Sequence, residues 1–247
     1  MSSNHKGNTG VILAAGTGKR LRTQDSAITI KPLTPVDRMA LLERTLNCLE
    51  HAGCSKSVIV VGWQAEIVQN VIRQTYKGPM TLSFVYNPNY HLQNGISVLS
   101  ARPFIQDTFI LTMADHVLDS RIMALAGQHN PLPNGAALCV DYKIDSIFDM
   151  DDATKVLARE GRIISIGKKL DPYNCIDTGV FVCTSGLMTA LEKVYHENGD
   201  ASLSQGIQIL AQQGVMECID IEDSYWQDVD TVEMLQHAEK LLKDHRK

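Results

Sequence analysis

The chain has 247 residues, 44% of them hydrophobic, 21% charged and 6% aromatic, which suits one large α/β domain with a sizeable buried core. Its 23 Lys and Arg against 28 Asp and Glu leave a formal net charge of −5, so neither a nucleic acid nor an anionic membrane surface is expected as the main partner. No run approaches the roughly 20 apolar residues of a membrane span, the polar start "MSSNHKGNTG" is no signal peptide, and the six scattered cysteines form no CxxC pair. The expectation is a cytoplasmic protein with reduced, mostly buried thiols and no zinc.

Apolar runs alternate with helical patterns through the first half. "GVILAA" (10–15) has the pattern of a strand, and "ALLERTLNCLEHAG" (40–53) that of a helix with Leu41, Leu42, Leu46 and Leu49 on one face, closed by Gly53. "SVIVVG" (57–62) is the next strand, "QAEIVQNVIRQTY" (64–76) the next helix, and "TLSFVYN" (81–87) a further strand. A short helix from about Gly95 to Ala101 precedes the strand "TFILTMAD" (108–115), which ends in an acid. Strands separated by helical crossovers imply a doubly wound, mostly parallel sheet with ligands at the carboxyl ends of its strands. The middle changes character. "GAALCVDY" (135–142), "TKVLARE" (154–160), "RIISIG" (162–167) and "CIDTGVFVC" (175–183) are strands joined by short turns, so a mixed β extension is expected to build an acceptor wall. "DSIFDMDD" (145–152) is an acidic, solvated loop with room for a lid role. A strand at "VMECIDI", the segment "SYWQDVD" and a helix from about Thr231 to Lys243 end the chain. With no internal repeat, low-complexity segment or Pro/Gly/Ser linker, residues 1–247 form a single domain.

"GVILAAGTGKRL", Gly10 to Leu21, is an apolar strand running into two glycines and two cations. A Rossmann G-x-G-x-x-G fingerprint fails at its third glycine, where Leu21 stands. A Walker A loop fails twice: Leu13 stands in place of the first glycine and Arg20 in place of Ser/Thr. What remains is L-A-A-G-x-G-x-R-[LM], followed after a short gap by "KPL" (31–33). Gly16 and Gly18 allow backbone N–H groups to approach an anion closely, and Arg20 and Lys31 add two full positive charges. The plain alternative is a glycine-rich turn with a surface arginine.

This pattern resembles the signature of the sugar-phosphate nucleotidyltransferases, the MobA-like NTP transferases. The resemblance runs from about residue 10 to 240 and implies a Rossmann-like doubly wound α/β fold of nucleotide-diphospho-sugar transferase type. The nucleotide-binding half would be about 10–130 and the acceptor half about 131–247. It further implies that Leu13, Ala14, Ala15, Gly16, Thr17, Gly18 and Lys19 cradle the nucleotide, with Arg20 and Lys31 as catalytic cations on its triphosphate.

Two acids offer oxygen ligands of the kind Mg²⁺ takes: Asp115 at the end of "TFILTMAD" and Asp228 in "YWQDVDT". They match the positions at which the family shares its metal. Asp230 is expected instead to cap the last helix with Thr231, since "DTVE" is close to a capping box. Trp226 is expected to pack behind the metal acid.

Three further stretches resemble the cytidylyltransferase branch, in particular enzymes acting on inositol 1-phosphate. They are "YNPNYHLQNGISVLSA" (86–101), "LTMADHVLD" (111–119) and "DATKVLAREGRIISIGKKLDPYNCIDTGVFVC" (152–183). The first implies base reading by Asn94, Gly95 and Ser97. The last implies Lys168 as a catalytic lysine on the acceptor phosphate, with Lys155 and Lys169 close enough to be confused with it, and Asp177 on acceptor hydroxyls. His116 either touches phosphate or acceptor, or is a packed histidine at a strand end. "VDRMALLERTL" (36–46) departs from the family's second lysine segment, so no role passes to Asp37 or Arg38. In that lineage the domain is often fused to a membrane enzyme, so a chain ending at Lys247 is expected to be the free-standing soluble form.

The resemblance therefore implies transfer of CMP from CTP to a small phosphomonoester, inositol 1-phosphate first, with Mg²⁺ and release of pyrophosphate. A phosphonate or phosphocholine acceptor remains open, although five Phe, seven Tyr and two Trp are few for a quaternary-ammonium cage. Molybdenum-cofactor or uridylyl chemistry on the same scaffold also remains open. A catalytically dead nucleotide-binding regulator would be expected to lack Arg20, Lys31 or a metal acid, and all are present. Oligomeric state is open, a homodimer included.

Overall fold

A computed structural model describes residues 8–21 and 30–245. β1 (Asn8–Ala14) alternates Val11 and Ile12 toward opposite faces of the sheet, so both layers of core start from it. After residue 30 come β2 (Pro35–Val36) and β3 (Met39–Ala40). Asp37 and Arg38, at φ of 48° and 68°, form the tight turn between them, the backbone that short hairpins require. α1 (Leu41–His51) buries Leu41, Leu42, Leu46 and Leu49, the expected face. β4 (Cys54–Val61), α2 (Ala65–Thr75), β5 (Thr81–Tyr86), α3 (Asn94–Ser100) and β6 (Phe109–Met113) complete the first half.

The second half contains β7 (His116–Leu118), α4 (Ser120–Gln128), β8 (Ala136–Asp141), β9 (Lys155–Arg159), β10 (Arg162–Gly167) and β11 (Cys175–Cys183). It continues with α5 (Ser185–Asn198), α6 (Leu203–Gln212), β12 (Met216–Asp220), β13 (Trp226–Asp228) and α7 (Val232–Asp244). Helices α4, α5 and α6 add to the elements the sequence pattern announced, and each is opened by a side-chain cap. Asp119 accepts from the Arg121 N–H, Thr184 from the Gly186 N–H, and Ser202 forms a capping box with Gln205.

Among the described residues the main sheet has nine strands in the order β5-β4-β1-β6-β11-β8-β12-β10-β9. From β5 to β6 every pairing is parallel, as helical crossovers require. Beyond β6 the sheet is mixed: β11 runs antiparallel to both β6 and β8, whereas β8 and β12 are parallel. The "mostly parallel" expectation thus describes the first half, and the β extension is where direction reverses.

One core layer gathers Val11, Val60, Phe109, Leu111 and Phe181 under α3, α5 and α6; the other gathers Ile12, Ile59, Ile110 and Val182 under α1, α2 and α4. A third, smaller cluster of Leu21, Val36, Leu41, Val117, Val229, Ala238 and Leu242 fastens α7 and β13 against β2, α1 and β7. No helix among the described residues is long and apolar enough to cross a membrane.

Helix α3 approaches its neighbours so closely that a Cβ on Gly95 would stand 2.5 Å from the Ala201 carbonyl oxygen and 2.9 Å from Leu191 Cδ2. Gly95→Ala should therefore destabilise the fold by about 1–3 kcal/mol through overpacking, read as a lower Tm in thermal unfolding. An unchanged Tm would contradict the tight contact.

Candidate active site

The loop after β1 forms one wall of a cleft of about 330 Å³ at the carboxyl ends of β1 and β6. Leu13, Ala14, Gly16, Thr17, Gly18, Lys19 and Arg20 all line it, together with Lys31. Ala15 does not: it is 4% exposed, packs in the core, and its carbonyl accepts from the Trp63 N–H. Gly18 has φ +60°, and a Cβ there would lie 2.6 Å from Lys31 Cβ. Glycine at this position lets the loop turn and lets Lys31 press against it.

Lys31 is nearly enclosed, its side chain 10% exposed, and its ammonium is gripped by two carboxylates. One is Asp115, at 2.5 Å, and the other is Asp230. Arg20 donates to Asp230 at 2.6 Å through one nitrogen and to Asp152 at 2.7 Å through another. Asp152 also pairs with Lys168. The chain of charges therefore runs Asp115, Lys31, Asp230, Arg20, Asp152, Lys168 across the floor of the site.

Asp230 is a correction to the sequence expectation. Thr231 alone caps α7, its hydroxyl accepting from the Met234 N–H, which leaves the Asp230 carboxylate facing Lys31 and Arg20. Further carboxylates lie beside the expected metal acids Asp115 and Asp228. One oxygen from each of Asp152, Asp228 and Asp230 lies within 4.8 Å of the other two, and Asp115 is outside that set. Asp230 is the shared member, joined to Asp115 through Lys31 and with an oxygen within 4.8 Å of one on Asp228. All these donors are carboxylate oxygens, which fits a hard divalent cation.

His116 Nδ1–H donates to Asp115 Oδ1 at 2.7 Å, and the ring stacks on Trp226, with ring centroids 6.0 Å apart. Trp226 Nε1 donates to Asp141 Oδ2 at 2.9 Å, and the indole lines a cleft together with Asp228 rather than only packing behind it. Burial opposes ionisation of Asp115, but Lys31 and His116 outweigh it and hold the carboxyl far below its usual range. His116 is likewise disfavoured as a cation by burial, yet its bond to Asp115 and the charge of Asp228 raise it overall. Asp228 goes the other way: burial, with the nearby Asp230 and Asp115 charges, pushes it up against the pull of His116.

A second cleft of about 240 Å³ adjoins the first, and Arg20, Asp115 and Asp230 line both. Lys168, Asp177, His116 and Asp228 face it. Of the three candidate lysines, Lys168 is the one that lines this cleft. Lys155 is buried and donates to the Met150 carbonyl at 2.5 Å, holding the acidic loop, and Lys169 lies outside the lining.

The base-reading trio is placed differently from expectation. Asn94 lines this second cleft rather than the first, its side-chain oxygen accepting from the Leu203 N–H at 2.9 Å. Gly95 is packed against Ala201, and Ser97 is buried with its hydroxyl accepting from Asn87 Nδ2 at 2.9 Å. The physical reason is that α3 serves as a packing helix between β1 and α5–α6. Thr154 and Ser204, which also line the second cleft, carried no motif to mark them.

Asp177 accepts from the Gly179 N–H at 2.7 Å, while burial pushes its carboxyl up to about 6. A folded-state value above the unfolded one means that stability is present at low pH and lost as pH rises from about 4 through about 6. Asp177→Asn should thus stabilise the protein by about 1–2 kcal/mol at pH 7 and leave it nearly unchanged near pH 4. Chemical denaturation at the two pH values checks this; no gain at pH 7 would show that the ionised group is fully compensated.

Residues 10–166 match the MobA-like NTP transferase domain. The chain is 30% identical over 234 residues to the bifunctional IPC transferase and DIPP synthase of Aquifex aeolicus, covering 95% of this chain and 51% of that protein. It thus spans about half the length of that curated relative. Over 103 residues it is 41% identical to the CMP-5'-(3-aminopropyl)phosphonate synthase of Streptomyces rubellomurinus, covering 41% of this chain and 16% of that one. Among solved structures, the inositol-1-phosphate CTP transferase from T. maritima superposes with a TM-score of 0.83 at 26% identity, covering 96% of this chain and 95% of that one. That domain match covers more than half of the sequence, and the chain belongs to the MobA-like NTP transferase family.

Proposed function

We propose that the protein is a cytidylyltransferase that transfers CMP from CTP to inositol 1-phosphate, giving CDP-inositol and pyrophosphate. The observation that carries this reading is the pair of adjoining clefts that share Arg20, Asp115 and Asp230. A triphosphate tail laid along the glycine loop and a phosphomonoester held at Lys168 would meet at those three residues. The similarity to a CTP transferase over nearly the whole chain supports the choice of nucleotide and acceptor.

The acceptor phosphate has a second pKa near 6 and is largely dianionic at neutral pH, so its oxygen attacks the α-phosphorus without a general base. The new O–P bond forms as the bond to the β-phosphate oxygen breaks, and pyrophosphate leaves. Backbone N–H groups around Gly16 and Gly18, with Lys31, would hold the departing phosphates; Arg20 would offset charge at the junction; Lys168 would aim the attacking group. Asp115 and Asp230, which already grip a cation in Lys31, are the residues assigned to Mg²⁺, with Asp228 beside them. When bound, Mg²⁺ supplies charge neutralisation and orientation of the nucleotide phosphates. At the other end of the acceptor cleft Asp177, Thr154 and Ser204 offer partners for hydroxyl groups. Trp226 and His116 are the aromatic rings in its lining, too few to cage the quaternary ammonium of phosphocholine.

A second reading rests on the phosphonate-synthase similarity and on Asp177 and Asp228, neither of which forms an ion pair with a Lys or Arg among the described residues. An aminoalkylphosphonate would place its anionic end at Lys168 and its ammonium near those acids. Pyrophosphate release over four nucleoside triphosphates and three acceptors (inositol 1-phosphate, an aminoalkylphosphonate and phosphocholine), with and without Mg²⁺, separates the readings. Turnover with CTP, inositol 1-phosphate and Mg²⁺ is expected; turnover with UTP or GTP alone would overturn the nucleotide. Arg20→Ala should lower kcat/KM by about 10²–10³. Asp230→Asn should cost about 10² and Asp228→Asn about tenfold, and the reverse order would return the metal to Asp228.

A further inference from the structure

We infer that Asp152 is a resident counter-anion of the acceptor site: its carboxylate spans Arg20 and Lys168, and an incoming phosphate must displace it. Asp152 is then a positioning residue that sets acceptor affinity by acting through two cations. The inference rests on the assignment of the Lys168 cleft to the acceptor phosphate.

The geometry is that of a substitute ligand. Oδ2 takes Arg20 at 2.7 Å and Oδ1 takes Lys168, one oxygen to each cation. A phosphomonoester dianion would present two oxygens to the same two groups. Arg20 keeps its other contact, to Asp230, whichever anion is bound.

Four cations, Lys19, Arg20, Lys31 and Lys168, face five carboxyl groups, Asp115, Asp152, Asp177, Asp228 and Asp230, across the two clefts. A phosphate bound between Arg20 and Lys168 takes the two cations that Asp152 holds. Asp115, Asp177, Asp228 and Asp230 sit in or directly beside strands β6, β11 and β13. Asp115 and Asp230 lie in short connections next to those strands, whereas Asp152 lies in the longer loop between β8 and β9. That loop is fastened by contacts that do not use its carboxylate: Phe148 stacks on His237 with centroids 4.3 Å apart, Lys155 donates to the Met150 carbonyl, and the Asp152 N–H donates to Asp149 at 3.2 Å. Rotation of one side chain therefore frees both cations while the loop stays folded.

Titration calorimetry with inorganic phosphate in metal-free buffer tests this without any turnover. Two partly exposed ion pairs together should weaken phosphate binding about three- to tenfold, so Asp152→Asn should bind phosphate tighter than the wild type by that factor. The exposed neighbour variant Asp151→Asn should stay within about twofold, since a distant surface charge is screened. In the Mg²⁺-supported reaction, Asp152→Asn should lower the KM of the acceptor by the same factor. Unchanged, weaker or unmeasurable phosphate binding by Asp152→Asn overturns the inference, as does an equal gain in Asp151→Asn. A kcat loss of tenfold or more with a raised Mg²⁺ requirement would overturn it in favour of metal ligation with Asp228 and Asp230. If phosphate binds tighter but no triphosphate and acceptor turn over, Asp152 keeps its role and the proposed reaction fails.

Discussion

Three residues of backbone pairing between β7 and β13 carry the end of the chain to the carboxyl end of β6. The ladder sets Asp228 opposite His116 and Trp226 opposite Leu118, and the Val229 N–H donates to the Asp115 carbonyl at 2.9 Å. Without that short antiparallel pairing, Asp115 and Asp230 would belong to unrelated parts of the molecule. So short a ribbon is marginal on its own. Val117, Val229, Ala238 and Leu242, buried together with Leu21 and Val36, supply the burial that holds it. The same cluster includes the last residue of the glycine loop. Loop and strap are therefore fixed against one another, and Arg20 meets Asp230 as a consequence of packing.

Charge placement follows from that frame. Lys31 loses most of its hydration, which alone would lower its affinity for a proton, yet Asp115 and Asp230 raise it overall. Asp115 is in the converse position, buried but held ionised by Lys31 and His116. Removing one member of such a group leaves the others as uncompensated buried charges, a much larger penalty than the intact pair is worth. The arrangement also explains how a site already crowded with charge can accept a highly charged ligand. A divalent cation finds carboxylates already gathered round an ammonium, and a phosphate finds cations already gathered round a carboxylate. Ligands exchange with partners already in place, so little reorganisation is left for the moment of reaction.

The parts of this site that were legible in the sequence are those set by local backbone. The strand "GVILAA", the glycines and the cations of the following loop fall where the pattern put them, because an apolar run and a positive-φ glycine constrain only their neighbours. Asp230 was not legible for a related reason. Asp and Thr are both good N-caps, and "DT" gives no local ground for choosing between them; tertiary contact with Lys31 and Arg20 decides it. Gly95 and Ser97 are ambiguous for a different reason. A glycine and a small polar residue opening a helix suit a ligand, but they equally suit a helix pressed against Ala201 and Leu191. Asp152 lay in a run of acids whose plain reading was a solvated loop, and no spacing rule links it to Arg20, 132 residues away.

The reversal of strand direction at β11 explains how two adjoining clefts come to one edge of the sheet. In a purely parallel sheet, the carboxyl ends of successive strands bring one loop each to the ligand edge. Here β11 runs antiparallel between β6 and β8, with Val180 opposite Thr112 and Ile176 opposite Asp141. Its amino-terminal end therefore lies beside the carboxyl ends of both neighbours. Asp177, near the start of β11, and Asp115, just past the end of β6, come to the same edge from strands of opposite direction. Asp141, at the end of β8, joins them as the anchor for Trp226. Acceptor-side residues are thus drawn from a part of the chain that does not shape the glycine loop. Substitutions in β11 and the acidic loop can alter what is bound beside Lys168 while β1, the loop and the β7–β13 strap stay as they are.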